Sequence, residues 1–194
     1  MTSETRSRKR DAAATRAAIL ASAREVFARS GYDGAGLREI AAGAGVTAML
    51  VRRYFGGKEQ LFAEAIAAAN SAPIIATEGV LKDEHPGAAI AQALVQITEP
   101  GAKPLDGFLI LLNSASSVRA AQIGRDVIEC APQKTVAAML EGENVEQRAA
   151  LILSLVAGFQ MMRQAIGLSA LADSDPKVLE NLLTPLFERL VKEV

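Results

Sequence analysis

Residues 37 to 55 read Leu-Arg-Glu-Ile-Ala-Ala-Gly-Ala-Gly-Val-Thr-Ala-Met-Leu-Val-Arg-Arg-Tyr-Phe, and they constrain the fold more than any other stretch. The pattern predicts two short helices broken by a tight turn. Ala41 is small enough to let a second helix cross close by. Gly45, four residues later, suits the point where the first helix must stop, because glycine tolerates positive φ. Thr47 can cap the next helix. Ile40, Val46 and Val51 supply the apolar plug between the two. Ala48, Met49, Leu50, Arg52, Arg53 and Tyr54 are left to divide between solvent and the seams. A short helix held out by its neighbour, with cations on it, has the shape that enters the major groove of DNA.

The rest of the chain supports a helical reading. Half of its 194 residues are apolar, with no Trp and two Tyr, a composition that favours helix over sheet. The expected fold class is all-α: an N-terminal three-helix domain with the helix-turn-helix, and a C-terminal helical domain for effector binding and dimerisation. Helices are expected at 15–30, 37–44, 47–54 and from Lys58 to about Ser71, then at about 73–82, 86–98, 104–117, 119–130, 132–141, 145–171 and 176–193. Pro185 lies inside the last and should kink it. The organisation read from this is a basic flexible arm at 1–14, a DNA-binding domain at 15–57, and a ligand-binding and dimerisation domain at 58–194.

Charge is distributed unevenly. Met1–Gln60 carries 11 Lys/Arg against 6 Asp/Glu, a net +5, and Leu61–Val194 carries 10 against 16, a net −6. That asymmetry is expected where one part meets phosphates and the other does not. The arm, with Arg6, Arg8, Lys9 and Arg10, reads as a solvated tail or as a reach to phosphates or the minor groove.

One Cys and one His argue against an intrachain disulfide framework and the usual His/Cys zinc site. No nucleophile triad can be assembled around a single His85, and no phosphate-binding glycine loop follows a strand. No enzyme activity, cofactor or metal is expected. No stretch approaches the ~18 uninterrupted apolar residues of a membrane span, so no membrane partner is expected and the expected compartment is the cytoplasm.

Ile19, Ala23, Phe27, Gly31-Tyr32, Ile40-Ala41, Ala44-Gly45-Val46-Thr47, Tyr54-Phe55, Lys58-Glu59 and Leu61-Phe62 form an ordered, gapless set. On these residues, 15–66 resembles the DNA-binding domain of the TetR family of transcriptional regulators, over about a quarter of the chain. The resemblance implies a homodimer on a palindrome-like double-stranded operator. It also implies repression relieved by a small molecule in a divergent C-terminal domain. Two places depart from the family pattern. A Thr or Ser pair usual at the start of the second helix is Ala35-Gly36, so Gly36 would cap without a side-chain oxygen. A frequent Gly-Thr-Leu-Tyr in the recognition helix is Met49-Leu50-Val51-Arg52, which trades polar hydrogen bonding for cationic contact.

The DNA-binding candidates are therefore Thr47, Ala48, Met49, Arg52, Arg53, Tyr54 and Lys58. Arg52 is expected on phosphate, and Arg53 on phosphate or a guanine edge. Ala48 and Met49 suit thymine methyls. Ligand-pocket candidates are Phe108, Leu112, Asn113, Phe159, Gln160, Met162 and Arg163, with core packing the competing role for the apolar ones and a surface or interhelical role for the polar ones. Dimer-interface candidates are Leu151, Leu155, Gly158, Leu179, Leu182 and Leu186, on two helices that would build a four-helix bundle with a second copy. The function expected is a sequence-specific transcriptional repressor released by a small apolar molecule. The alternatives are a constitutive or architectural DNA-binding protein and, less favoured, a helical enzyme.

Overall fold

The computed structural model describes residues 3–69, 75, 77–99, 101–102 and 106–192, the side chains of 3–10, 78 and 81 excepted. Among the described residues every regular element is a helix: α1 Ser3–Gly34, α2 Leu37–Gly43, α3 Ala48–Phe55, α4 Lys58–Ala69, α5 Glu78–Leu81, α6 Pro86–Ile97, α7 Asp106–Ser114, α8 Val118–Ile128, α9 Lys134–Ala137, α10 Val145–Gln160, α11 Ser169–Ala172 and α12 Pro176–Val191. The all-α class is as the sequence predicts. By its contacts the chain forms two compact units, one of Met1–Ser71 with Leu105–Val127 and one of Ala72–Pro104 with Ile128–Val194.

The first unit is built on α1. Its backbone is helical from Ser3 and so takes in the segment read as a flexible arm. No Gly or Pro occurs between Met1 and Ser30 to stop it. The basic side chains of the arm lie outside the described residues. Helical geometry breaks at Gly31, whose φ of 64° and ψ of −178° suit glycine almost alone. Ile19, Ala23 and Phe27 of α1 are fully buried with Ile40 of α2, Phe55 of α3 and Leu61, Phe62, Ala65 and Ile66 of α4. Phe27, Tyr32 and Phe62 meet ring to ring, with Phe62 edge-on to both at 5.0 and 4.9 Å.

The pair α7–α8 belongs to this unit by its contacts. The reason lies at the end of α1. Tyr32 N–H donates to Ser114 Oγ at 2.9 Å, and Asn113 Nδ2 donates to Ala28 O at 2.5 Å. The last turn of α1 thus finds on α7 the partners that a helix end otherwise lacks. Ile110, Ala120 and Ile123 join the same core, and Arg119 of α8 grips Glu59 of α4 through Nε at 3.0 Å and Nη2 at 2.5 Å.

The second unit packs α6 along α12, with α10 against α12 and α9 against α10; Ile90, Leu94, Val136, Ile152 and Phe187 are its buried centre. Gly87 lets α6 start directly against α12: a Cβ there would lie 2.5 Å from the backbone N of Glu188. Two expected helices are shorter than their periodicity suggests. Pro132 has no N–H to continue the ladder, and Glu129–Gln133 widens into a π turn before α9. The helix expected over 145–171 slips into a second π turn at Met161–Ala165, then breaks at Gly167 with φ of 69°. Helix α12 runs through Pro185 without interruption. Residues 70–74 and 76, within the helices expected at 58–71 and 73–82, lie outside the described residues.

Candidate nucleic-acid interface and effector-unit residues

The helix-turn-helix assembles as the spacing requires. Gly36 caps α2 in extended geometry with no side-chain hydrogen bond. At the other end Val46 N–H reaches Ala41 O at 2.9 Å across Gly45, which takes φ of 65°. Ser22 Oγ of α1 donates to Ile40 O at 2.9 Å and closes the seam. Thr47 caps α3, accepting from Leu50 N–H at 3.3 Å. Ile40 and Val51, expected in the plug, are buried, as is Ala41 at the expected crossing, and Val46 packs on the same core.

The α3 candidates then separate by face. Val51 and Phe55 point into the core, while Met49 is 81% exposed and Thr47, Arg52 and Arg53 are exposed. Ala48 and Tyr54 are half-buried and packed on the core. Lys58 is half-buried. Its Nζ lies 4.7 Å above the Tyr32 ring and 3.4 Å from Asp33 O. Burial pushes the Tyr32 phenol above its ordinary value, and the Glu59 carboxylate adds to this.

Which cations are free is decided by ion pairs. Arg16 is paired with Glu64, Arg24 with Asp106, Arg29 with Glu39 and Arg119 with Glu59. The Arg119 bond holds the Glu59 carboxyl below its usual range. Among the described residues, Arg38, Arg52 and Arg53 are exposed on α2 and α3 without an ion-pair partner. Arg38 was not among the sequence candidates. Its signal was a cation two residues before Ile40, on the face of α2 opposite the plug.

The candidates for the effector role divide between the two units. Phe108, Leu112 and Asn113 lie in the first unit; Phe159, Gln160, Met162 and Arg163 lie in the second. Asn113 is already engaged by Ala28 O. Gln160 is 3% exposed, with Nε2 buried and unpartnered. Arg163 is also 3% exposed, and burial draws its guanidinium below the ordinary value, with the Glu99 carboxylate opposing. Phe159 sits with its ring 5.7 Å from that guanidinium, and Met162 is 40% exposed.

Of the interface candidates, Leu151, Leu182 and Leu186 are at least half exposed, with Val178 beside them on α12. Leu155 and Gly158 are half-buried, and nothing lies within 4 Å of where a Gly158 Cβ would stand. Leu179 is placed in the core of its own subunit at 3% exposure, because it is one residue off the exposed Val178–Leu182–Leu186 stripe.

Comparison with known proteins agrees with this geometry. Residues 19–65 match the model for bacterial regulatory proteins of the tetR family, and residues 84–191 match the model for the tetracyclin repressor-like C-terminal domain. No curated protein matches. Among solved structures, a TetR-family regulator from Streptomyces coelicolor is 24% identical, with 92% of this chain and 95% of that one covered and a TM-score of 0.58. A TetR-family transcriptional regulator from a Rhodococcus species is 15% identical, with 93% and 100% covered and a TM-score of 0.67. The multidrug binding protein EbrR complexed with ethidium is 17% identical, with 92% and 99% covered and a TM-score of 0.60. At these identities the likeness is one of fold. The two family models account for most of the sequence, the second alone for more than half of it, and the chain belongs to the TetR family of bacterial regulatory proteins.

Proposed function

We propose that this regulator represses transcription as a homodimer on a palindrome-like operator, and that a small, mostly apolar molecule releases it. The observation that carries the DNA part is the sorting of charge. Arg38, Arg52 and Arg53 stand unpaired on the helix-turn-helix, as does Arg125 on α8, while Arg16, Arg24, Arg29 and Arg119 of the same unit each hold an ion pair. Unpaired guanidiniums on a short exposed helix give phosphate contact and, from α3, access to guanine O6 and N7. Met49, exposed at the start of α3, offers an apolar contact to a thymine methyl. Thr47, Ala48, Tyr54 and Lys58 complete the edge toward the backbone.

Dimerisation is assigned to α10 and α12. Leu151, Val178, Leu182 and Leu186 leave an apolar surface that a monomer gains nothing by exposing. The open approach at Gly158 suits a close helix crossing. A dimer also supplies the second recognition helix that specific binding needs. The division of labour is DNA reading at 15–57, preceded by the arm at 1–14, and ligand binding with dimerisation at 58–194. The ligand part is supported by the family and by the fold shared with EbrR, which is a multidrug binding protein held with ethidium. Neither an enzyme activity nor a cofactor enters this reading, and the compartment assigned is the cytoplasm.

The test is selection of bound DNA from a random pool, followed by footprinting. The expected result is an inverted repeat with half-site centres about one helical turn, or a multiple of it, apart. Sequence-independent coating of the DNA would refute the operator reading and favour an architectural protein.

A further inference from the structure

Val51 and Phe55, the buried residues of α3, fix which way that helix faces. At about 100° per residue, the position midway between them, Arg53, points directly away from the core. Met49, one turn earlier, falls within roughly 40° of the same direction, whereas Arg52 stands about 100° to the side. Met49 and Arg53 thus share the outermost line of the helix, and both are exposed, Met49 at 81%. Among the described residues of the first unit, Met49 and Val118 are the large apolar side chains left exposed. An isolated exposed methionine needs no explanation by itself. Its place beside Arg53, opposite the core of a recognition helix, gives it one.

The first turn of α3 offers little hydrogen bonding to a base edge. Ala48 and Leu50 are half-buried, and Thr47 Oγ1 is engaged in the cap, accepting from Leu50 N–H. A thioether cannot read the donors and acceptors of the major groove, but it packs well on a methyl group. Thymine carries such a methyl at C5. A C5-methylated cytosine carries the same methyl beside the opposite hydrogen-bonding edge, so Met49 has no means of telling the two apart. Four residues of helix rise about 6 Å, and successive base pairs about 3.4 Å, so Arg53 meets a pair within about two steps of that methyl. There its guanidinium forks onto guanine O6 and N7.

We propose that each operator half-site holds a C5-methylated pyrimidine read by Met49 and, within about two base pairs, a guanine read by Arg53, so that methylated cytosine serves in place of thymine. This rests on the operator reading above and adds methyl-dependence to it. It is tested on the operator recovered by selection, with the full chain, by fluorescence-anisotropy titration at fixed salt. Each thymine of the half-site is replaced in turn by deoxyuridine, which removes the methyl alone. At one position the change should weaken binding about fourfold per half-site, and about 15-fold when both carry it, as loss of one buried methyl contact predicts. Unmethylated cytosine at that position should bind as weakly as uracil, and methylating it at C5 should recover the same factor. Met49→Ser, at an exposed position, should fold normally and bind the thymine and uracil operators equally. Arg52→Ala should keep the difference between them. Arg53→Ala should abolish the preference for one guanine within about two base pairs of that thymine. An operator in which every thymine tolerates uracil, a uracil effect that persists in Met49→Ser, or cytosine methylation without effect overturns the methyl reading and leaves the operator itself standing. Sequence-independent coating of DNA removes both.

Discussion

Gly31 and Gly45 take nearly the same φ, 64° and 65°, but replacing each by alanine should have very different consequences. A positive φ costs an L-residue roughly 1–3 kcal/mol, toward the upper end at Gly31, whose ψ of −178° lies in a region held almost only by glycine. At Gly45 that is the whole penalty, because nothing lies within 4 Å of the new Cβ. At Gly31 the Cβ would stand 2.1 Å from the backbone oxygen of Asn113. A backbone carbonyl cannot rotate away as a side-chain tip can, so α7 must retreat from α1. Overpacking of that kind costs roughly 1–3 kcal/mol more. Retreat also stretches the Tyr32 N–H···Ser114 Oγ and Asn113···Ala28 bonds, worth about 1 kcal/mol each. Gly31→Ala should therefore lose about 3–6 kcal/mol from strain and overpacking, and up to about 2 kcal/mol more if both bonds break, against about 1–2 kcal/mol for Gly45→Ala. Urea unfolding followed by circular dichroism, with the slope checked for constancy, measures both. Equal losses in the two variants would refute the claim that α7 is locked onto the end of α1.

Arg52→Ala and Arg38→Ala should each weaken binding to every DNA sequence alike and lower the salt slope by about one unit, as titrations at several salt concentrations would show. If Arg53 reads a guanine, Arg53→Ala should cost about 1–3 kcal/mol at one base pair and leave the other positions alone. Leu182→Glu with Leu186→Glu places charges on a face exposed in one subunit, so the chain should stay folded and sediment as a monomer; a mutant that remains dimeric moves the interface elsewhere. The Glu59 carboxyl is lowered from 4.5 by Arg119, so its contribution is present above that value and is lost as pH falls through the lower folded value. Arg119→Gln should remove that acid-range loss from the melting curve. Saturating operator should lower effector affinity by the same factor by which effector lowers operator affinity, typically 5–150-fold, and a calorimetric mismatch would refute the coupling.

The helix-turn-helix was legible because its rules are local. Gly45, Thr47 and the Ile40–Val46–Val51 spacing each act within one or two turns of chain, and the structure uses each of them so. Arg52 and Arg53 were visible as cations, but which other cations stay free was not. That depends on Glu64, Asp106, Glu39 and Glu59, some of them tens of residues from the arginines they neutralise. Arg38 stood out only once those pairs were in place. Leu179 shows the same limit on a finer scale. Periodicity puts leucines on a helix, but a shift of one residue, about 100° of rotation, separates the buried face from the exposed one.

The ends of helices divided in the same way. Pro132 carries its own explanation for the irregular turn around it, whereas the slip at Met161 has no local residue to announce it. Sequence by itself determined the helical class, the DNA-reading motif and the family, since propensity, capping and 3.6-residue spacing are properties of short segments. Only the tertiary structure decided that α7 and α8 complete the first unit, that Asn113 is a latch on α1, and that Arg163 is buried against Val95 O and Thr98 Oγ1. Those facts rest on hydrogen bonds between residues 65 to 85 positions apart, and local pattern carries no record of which distant carbonyl a side chain will meet.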